Sequence, residues 1–428
     1  GQALKMLNDS ELDAAYAQAS DVDSLESMYK EMLEHNATHV PTLYGYGNFM
    51  MKIRHNYSAA QDMFKQVLEV DSGHVSTLCN YGNLLHNHLH AHDEAEKCFN
   101  EALAVNGSHA TTLCNYGLLL QNERKDFAGA EDKYKRALES EPMHSTTLYN
   151  YARLKQDVTG DYTGAEDMFK RALAADPEMP HVLCSYGLLR LNFFSDADGA
   201  EGLYRRALSF DPGHIATLYN YASLLEGVRQ NFSGAEDMYK RVLAIDPYHM
   251  ATLSNYGGLL HTVSRDYDTA EIMYKRALDK DCNSTATLCN YGLLMQTVKA
   301  QFLQAQKLYQ RSLAVDPGHV ATLCNFAYLS ATVHDYAQAE ELLKRALASE
   351  PTHEFALHFL GWVQNKTTAS ASQAPASSGQ NFTSPPAALS AHTATNATAA
   401  GSHGEGQHQQ LEGAGAPQEP AVATPAEA

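Results

Sequence analysis

The sequence predicts an all-α solenoid, built of stacked helix-turn-helix units rather than around one central core. Three observations carry this expectation. A tyrosine returns at Tyr46, Tyr81, Tyr116, Tyr151, Tyr186, Tyr221, Tyr256 and Tyr291, every 35 residues, with Phe326 at the next step. Each period holds two stretches of apolar residues at helical spacing. Proline closes most periods, at Pro142, Pro177, Pro212, Pro247, Pro317 and Pro351. A fixed period of this length marks an array in which each unit contacts its neighbours.

The period from residue 217 to 251 shows what one unit contains. Leu218, Tyr221, Ala222, Leu224 and Leu225 fall on one helical face. A short polar turn near Val228 to Ser233 follows. Ala235, Met238, Tyr239, Val242, Leu243 and Ile245 then mark a second helix. Asp246-Pro247 ends it, because proline lacks the next amide hydrogen and disfavours helix in the preceding residue. Neither helix can bury its apolar stripe alone, so units must stack.

Small residues recur at two points of each unit. Gly47, Gly82, Gly117, Ala152, Gly187, Ala222, Gly257, Gly292 and Ala327 share a place in the first helix. Ala60, Ala95, Ala130, Ala165, Ala200, Ala235, Ala270, Ala305 and Ala339 share one in the second. A helical glycine costs about 0.5–1 kcal/mol against alanine, so its recurrence implies a close approach of helix backbones. Four residues beyond each alanine stands a large apolar group, from Phe64 through Tyr309 to Leu343.

This combination resembles the tetratricopeptide repeat, with its small first-helix residue, Ala-x-x-x-aromatic and closing proline. The resemblance covers nine units over residues 42–355. It implies a right-handed superhelix whose first helices line the concave face. Three departures stand out: leucine replaces the opening aromatic of the motif, tyrosine replaces its next leucine, and the period is 35 rather than 34. The extra residue fits most easily into the turn between the helices, and the last unit, 322–355, returns to 34. Residues 1–41 are expected to form a helical cap and partial repeat, and 356–365 a closing helix. Residues 366–428 turn to Ala, Ser, Thr, Pro, Gly and Gln without apolar periodicity, the composition of a disordered tail.

Net charge over the 428 residues is -19, which argues against nucleic-acid phosphate as a ligand. The second helix, Ala270 to Leu278 for example, is also similar to that of the half-a-tetratricopeptide proteins of RNA processing, whose first-helix Trp and Glu are missing here. No run of 18 apolar residues exists to span a membrane. No secretory signal opens the chain and seven cysteines are present, so a reduced, intracellular, cytoplasmic setting is expected. No nucleophile elbow, P-loop or dinucleotide motif is found, so neither an enzyme nor a cofactor is expected.

The chief candidate site is an asparagine ladder: Asn80, Asn115, Asn150, Asn220, Asn255, Asn290 and Asn325, interrupted by Gly45 and Ser185. An amide both donates and accepts, so a row of them suits the backbone of an extended peptide. Here the array resembles the superhelix of the O-linked N-acetylglucosamine transferases, although no glycosyltransferase segment follows residue 366. The expected function is therefore a scaffold for a protein or peptide partner. Two alternatives are the recognition arm of an enzyme whose catalytic part lies elsewhere, and an RNA-processing scaffold. Two neighbouring rows are expected to set specificity: Asn83, Leu118, Arg153, Leu188, Ser223, Gly258, Leu293 and Tyr328 on one, and His86, Gln121, Gln156, Leu191, Glu226, His261 and Gln296 on the other. The lysine clamp of heat-shock co-chaperones is missing, with Tyr44 and Asn115 at its places.

A histidine ladder occupies the turns between units: His39, His74, His109, His144, His214, His249, His319 and His353. Units about 8–10 Å apart hold these rings too far from one another to share one zinc at about 2.0–2.1 Å, so they are expected to serve in turn hydrogen bonding or in capping helix N-termini. The run His86-Asn87-His88-Leu89-His90-Ala91-His92 is denser, but sequence alone identifies no second shell for a metal there. Acid-base pairs such as Asp167 with Arg171 and Asp237 with Arg241 read as a solvated outer face.

Overall fold

The structure is a computed structural model in which residues 22–371 are described. Among them are twenty helices and no strand. Two compact units share this stretch, one running through Val182 and one beginning at Leu183. The first unit opens with α1 (Val22–His35). Helix pairs follow: α2 (Val40–Lys52) with α3 (Tyr57–Val70), α4 (Val75–Asn87) with α5 (His92–Val105), α6 (Ala110–Leu119) with α7 (Phe127–Ser140), and α8 (Ser145–Leu154) with α9 (Tyr162–Ala175). The second holds most of α10 (Pro180–Phe194), then α11 (Ala197–Phe210), α12 (Ile215–Gly227) with α13 (Phe232–Ile245), and α14 (Met250–Leu259) with α15 (Tyr267–Lys280). It ends with α16 (Thr285–Thr297), α17 (Phe302–Val315), α18 (Val320–Thr332), α19 (Tyr336–Ser349) and α20 (Glu354–Ala371). The closing helix thus continues past residue 365. The part of the expected cap before α1 and the rest of the expected tail lie outside the described residues.

The first helices begin on histidine. His74 Nδ1 accepts the Thr77 amide at 3.2 Å, and His109, His144, His214 and His249 repeat this with Thr112, Thr147, Thr217 and Thr252 at 3.3 Å. The same nitrogen lies 2.7–2.8 Å from each threonine hydroxyl. A ring nitrogen that accepts an amide carries no proton, so these imidazoles are neutral, with the hydrogen on Nε2. With His353, which accepts the Ala356 amide, six of the eight ladder histidines are N-caps, while His39 and His319 reach only the threonine hydroxyl. The second helices use shorter caps: Asp126, Asp161 and Asp196 each accept the amide three residues on at 2.9 Å.

The thirty-fifth residue is absorbed where the first helix turns into the second. In eight repeats the amide that restarts the chain bonds a carbonyl six residues back, as Asp126 to Leu120 and Asp266 to Leu260, both at 3.0 Å. One residue in each such turn is left-handed: His55, His90, Lys125, Gly160, Ser195, Gln230, Arg265 and Ala300. In three repeats the closing turn is π-helical, over Leu120–Arg124, Lys155–Thr159 and Leu260–Ser264. The shorter ninth repeat closes differently. Asp335 N–H bonds the carbonyl of Ser330, five back, and His334 N–H that of Ala331, three back. That is a Schellman motif, so the 35-residue repeat is a 34-residue one with a wider helix exit.

The recurrent small residue faces a ring, not a backbone. A Cβ placed on Gly82, Gly117, Gly187 or Gly292 would come within 2.5–2.6 Å of Cε1 of Phe99, Tyr134, Tyr204 or Tyr309 in the same repeat. The expectation of a close approach holds, but its partner is the aromatic side chain of the second helix. The far side of that ring meets the tyrosine of the next repeat. Tyr134 and Tyr151 have centroids 6.0 Å apart, and Tyr204–Tyr221, Tyr239–Tyr256 and Tyr274–Tyr291 repeat this at 6.1 Å. The tyrosine hydroxyl then donates to a glutamate of the preceding second helix, as Tyr116 and Tyr151 do to Glu96 and Glu131 at 2.8 Å. Tyr221 and Tyr256 reach Glu201 and Glu236 at 3.0 Å. This accounts for tyrosine where the motif has leucine: the ring packs between repeats and the hydroxyl binds across them.

Three outcomes follow from this architecture. Leucine at Gly257, where a Cβ alone comes within 2.8 Å of Tyr274, lowers stability in urea denaturation by about 1–3 kcal/mol. Ala300→Gly relieves an exposed left-handed alanine and raises stability by up to about 1 kcal/mol in the same assay. The histidine caps set a pH window. Burial holds His109, His144, His214, His249 and His319 below the usual imidazole range. The unfolded chain therefore binds more protons, and the caps' contribution is full above about pH 6.5 and falls as pH drops below it. The Tm measured from pH 7.5 to 5 falls in the native chain, and less in a variant with all five changed to asparagine, a cap that does not titrate.

Candidate functional site

The asparagine ladder lies along the first helices, and each unit carries its own segment: Asn80, Asn115 and Asn150 in the first, Asn220, Asn255, Asn290 and Asn325 in the second. The amide nitrogen works inside the array. Asn115, Asn150 and Asn220 point Nδ2 at Sγ of Cys79, Cys114 and Cys184 in the preceding repeat, at 3.6, 3.4 and 3.3 Å. Asn255 donates to the Tyr219 hydroxyl at 3.0 Å, and Asn80 to the Tyr44 hydroxyl at 3.0 Å and to Asn48 Oδ1 at 2.8 Å. These five side chains are half-buried, and among the described residues no hydrogen bond to their Oδ1 atoms is found.

Asn290 and Asn325 differ, being 0% and 1% exposed. Asn325 donates to Cys289 Sγ at 3.6 Å with its Oδ1 unpartnered, and neither amide atom of Asn290 has a partner. The residue that matches the cysteine in the repeat before Asn290 is Ser254, whose buried hydroxyl is also unpartnered. The cysteines at this position are therefore acceptors in the joint between first helices. All seven cysteines of the chain are free. Burial pushes the Cys79 thiol up to about 11 and the Cys324 thiol up to about 12, so both stay protonated.

The neighbouring row of His86, expected to set specificity, turns inward instead. His86, Glu226, His261 and Gln296 are buried. The row meets the second-helix tyrosines: Tyr134 donates to Gln121 Oε1 at 3.1 Å, Tyr309 to Gln296 Oε1 at 2.8 Å and Tyr239 to Glu226 Oε2 at 2.6 Å. Burial, reinforced by the Glu226 carboxylate, pushes the Tyr239 hydroxyl well above its usual range. These groups buttress helix pairs. The outer arginines are also more than a solvated face. Arg171, Arg241 and Arg276 donate to the carbonyls of Pro142, Pro212 and Pro247, tying each second helix to the turn before its repeat. Two signals for these contacts stand in the sequence: the cysteine or tyrosine just before every ladder asparagine except Asn255, and the glutamate just after seven of the nine second-helix alanines. Neither names its partner without the stacking geometry.

Residues 157–215 match the profile of the tetratricopeptide repeat family. That match covers one helix pair and its flanks, and the helix pairs before and after it keep the same 35-residue period. Among solved structures it is similar to a tetratricopeptide repeat protein from Parabacteroides merdae, at 16% identity and a TM-score of 0.48, over 60% of this chain and 99% of that one. PilF of Pseudomonas aeruginosa matches at 19% identity and a TM-score of 0.45, over 53% of this chain and 97% of its own. Yeast Tom70 matches at 16% identity and a TM-score of 0.44, over 85% and 90%. No curated protein sequence matches. Tetratricopeptide repeat proteins generally mediate protein–protein interactions. Among the described residues no helix is long and apolar enough to cross a membrane.

Proposed function

We propose that this chain is a scaffold that binds a partner protein through an extended peptide laid along the asparagine ladder. The observation that carries the reading is the division of labour within each amide. The N–H of Asn220 or Asn255 is held by the preceding repeat, which fixes the side chain's direction, while the carbonyl oxygen is left as an oriented acceptor. A peptide backbone offers N–H donors whatever its side chains, so a row of acceptors recognises extended chain more than sequence. In the second unit Asn290 and Asn325 continue the row in sequence, but their oxygens are buried, so the acceptors offered to a peptide are those of the half-buried amides.

The test uses linear peptides selected by display against the full chain, with affinity read by fluorescence anisotropy. Changing Asn220 and Asn255 together to alanine weakens binding by about 0.5–1.5 kcal/mol per amide, roughly two- to tenfold each. The control pair, Cys184→Ala with Tyr219→Phe, removes the acceptors that hold the same amides and leaves the carbonyls. It lowers stability comparably and, with the carbonyls present but no longer fixed in direction, weakens peptide binding less than the asparagine pair does. Equal loss of binding in both pairs, or none in the asparagine pair, overturns the proposal.

A further inference from the structure

Three side chains from three helical segments of the first unit converge at one joint. His86 is buried near the end of α4. His92 opens α5, and Glu123 comes from the π-helical turn after α6. His86 Nδ1 and His92 Nδ1 lie 3.2 Å apart, and Glu123 Oε2 lies 3.5 Å from His92 Nε2. One ligand atom from each of the three residues falls within 4.8 Å of the others.

The array supplies its own comparison. One repeat earlier, the places of His92 and Glu123 are held by Tyr57 and His88, whose rings stack at 4.1 Å. In later repeats the place of His92 holds Phe127, Tyr162, Phe232, Tyr267 and Phe302, and that of Glu123 holds Val158, Val228, Val263 and Val298. At these two places the array is otherwise apolar or aromatic, so an imidazole and a carboxylate here are a local replacement for packing. The replacement has the composition of a metal site. Ligands at about 2.0–2.1 Å around a tetrahedral ion are separated by roughly 3.3–3.4 Å, close to the observed spacing of the two nitrogens. A ring that binds metal through one nitrogen usually gives its other N–H to a carboxylate. The arrangement at His92 therefore serves Glu123 either as ligand or as support. The carboxylate the sequence could not supply for the histidine run comes from the next repeat.

We propose that His86, His92 and Glu123 bind one divalent transition-metal ion of the zinc class, clipping both helices of one repeat to the first helix of the next. His88 is stacked on Tyr57 and His90 sits in the left-handed turn, so neither belongs to the set.

The test is calorimetric titration of the tag-free full chain with zinc chloride, with a parallel melting curve. The expected result is one site per chain and a rise in Tm with zinc. His92→Ala abolishes both, and Glu123→Gln weakens binding by about 10–100-fold whether the carboxylate is ligand or support. His88→Ala and His90→Ala bind as the native chain does. His92→Ala and Glu123→Gln alter exposed or half-exposed groups, and their helicity without zinc, matched to the native chain, shows that lost binding is not lost folding. If zinc fails to bind, if Glu123→Gln binds as tightly as the native chain, or if His88→Ala and His90→Ala weaken binding as much as His92→Ala, the proposal falls. The last outcome would mean loose chelation by the histidine run.

Discussion

Within each unit, one ring holds the joint between successive repeats that carry an aromatic second-helix residue. The aromatic side chain of the second helix lies against a glycine or alanine of its own repeat on one side and a tyrosine of the next repeat on the other. Without the small residue the ring cannot seat, and without the ring the next tyrosine has nothing to stack on. An aromatic pair of this kind contributes about 0.5–1.5 kcal/mol beyond its buried area. The tyrosine hydroxyl adds a bond to a glutamate across the joint, as in Tyr151 to Glu131. Within each unit, packing inside a repeat and packing between repeats therefore pass through the same atoms.

A second layer of contacts depends on that joint. Once first helices are stacked, an asparagine of one reaches the cysteine or tyrosine of the one before, and an arginine of each second helix reaches the preceding turn. These groups are polar, yet much of their bonding capacity is directed inward. A repeat protein with no central core has few places to bury polar atoms, and it uses them here to fix the offset between neighbours. The oxygen that each half-buried ladder amide retains is what this internal bonding leaves for a partner.

The repeat architecture was legible because a period of 35 residues recurs in composition, and composition is what a sequence displays. Helix pairs, histidine caps and the location of the extra residue in the intra-repeat turn all rest on local signals: apolar spacing, a turn residue, a proline. What was not legible depends on neighbours. The ring that faces Gly82 lies 17 residues away on another helix, and the direction of the row with Glu226 and His261 follows from helix rotation in the stack. The wider helix exit was placed correctly, but its left-handed residue was not marked, because seven of the eight are not glycine. For the ladder, the sequence showed amides in a row but not that their nitrogens are engaged.

The thiols give this chain an uncommon asymmetry in how it meets solvent. Six of its seven cysteines are buried and one, Cys282, is exposed, in the turn before α16. A thiol-specific dye added to the folded protein is thus directed to one address in the second unit, with no engineering. The remaining sulfurs are distributed along the first helices and α5, so each becomes reactive only when its own joint opens. The order in which they are captured records where this array breathes first.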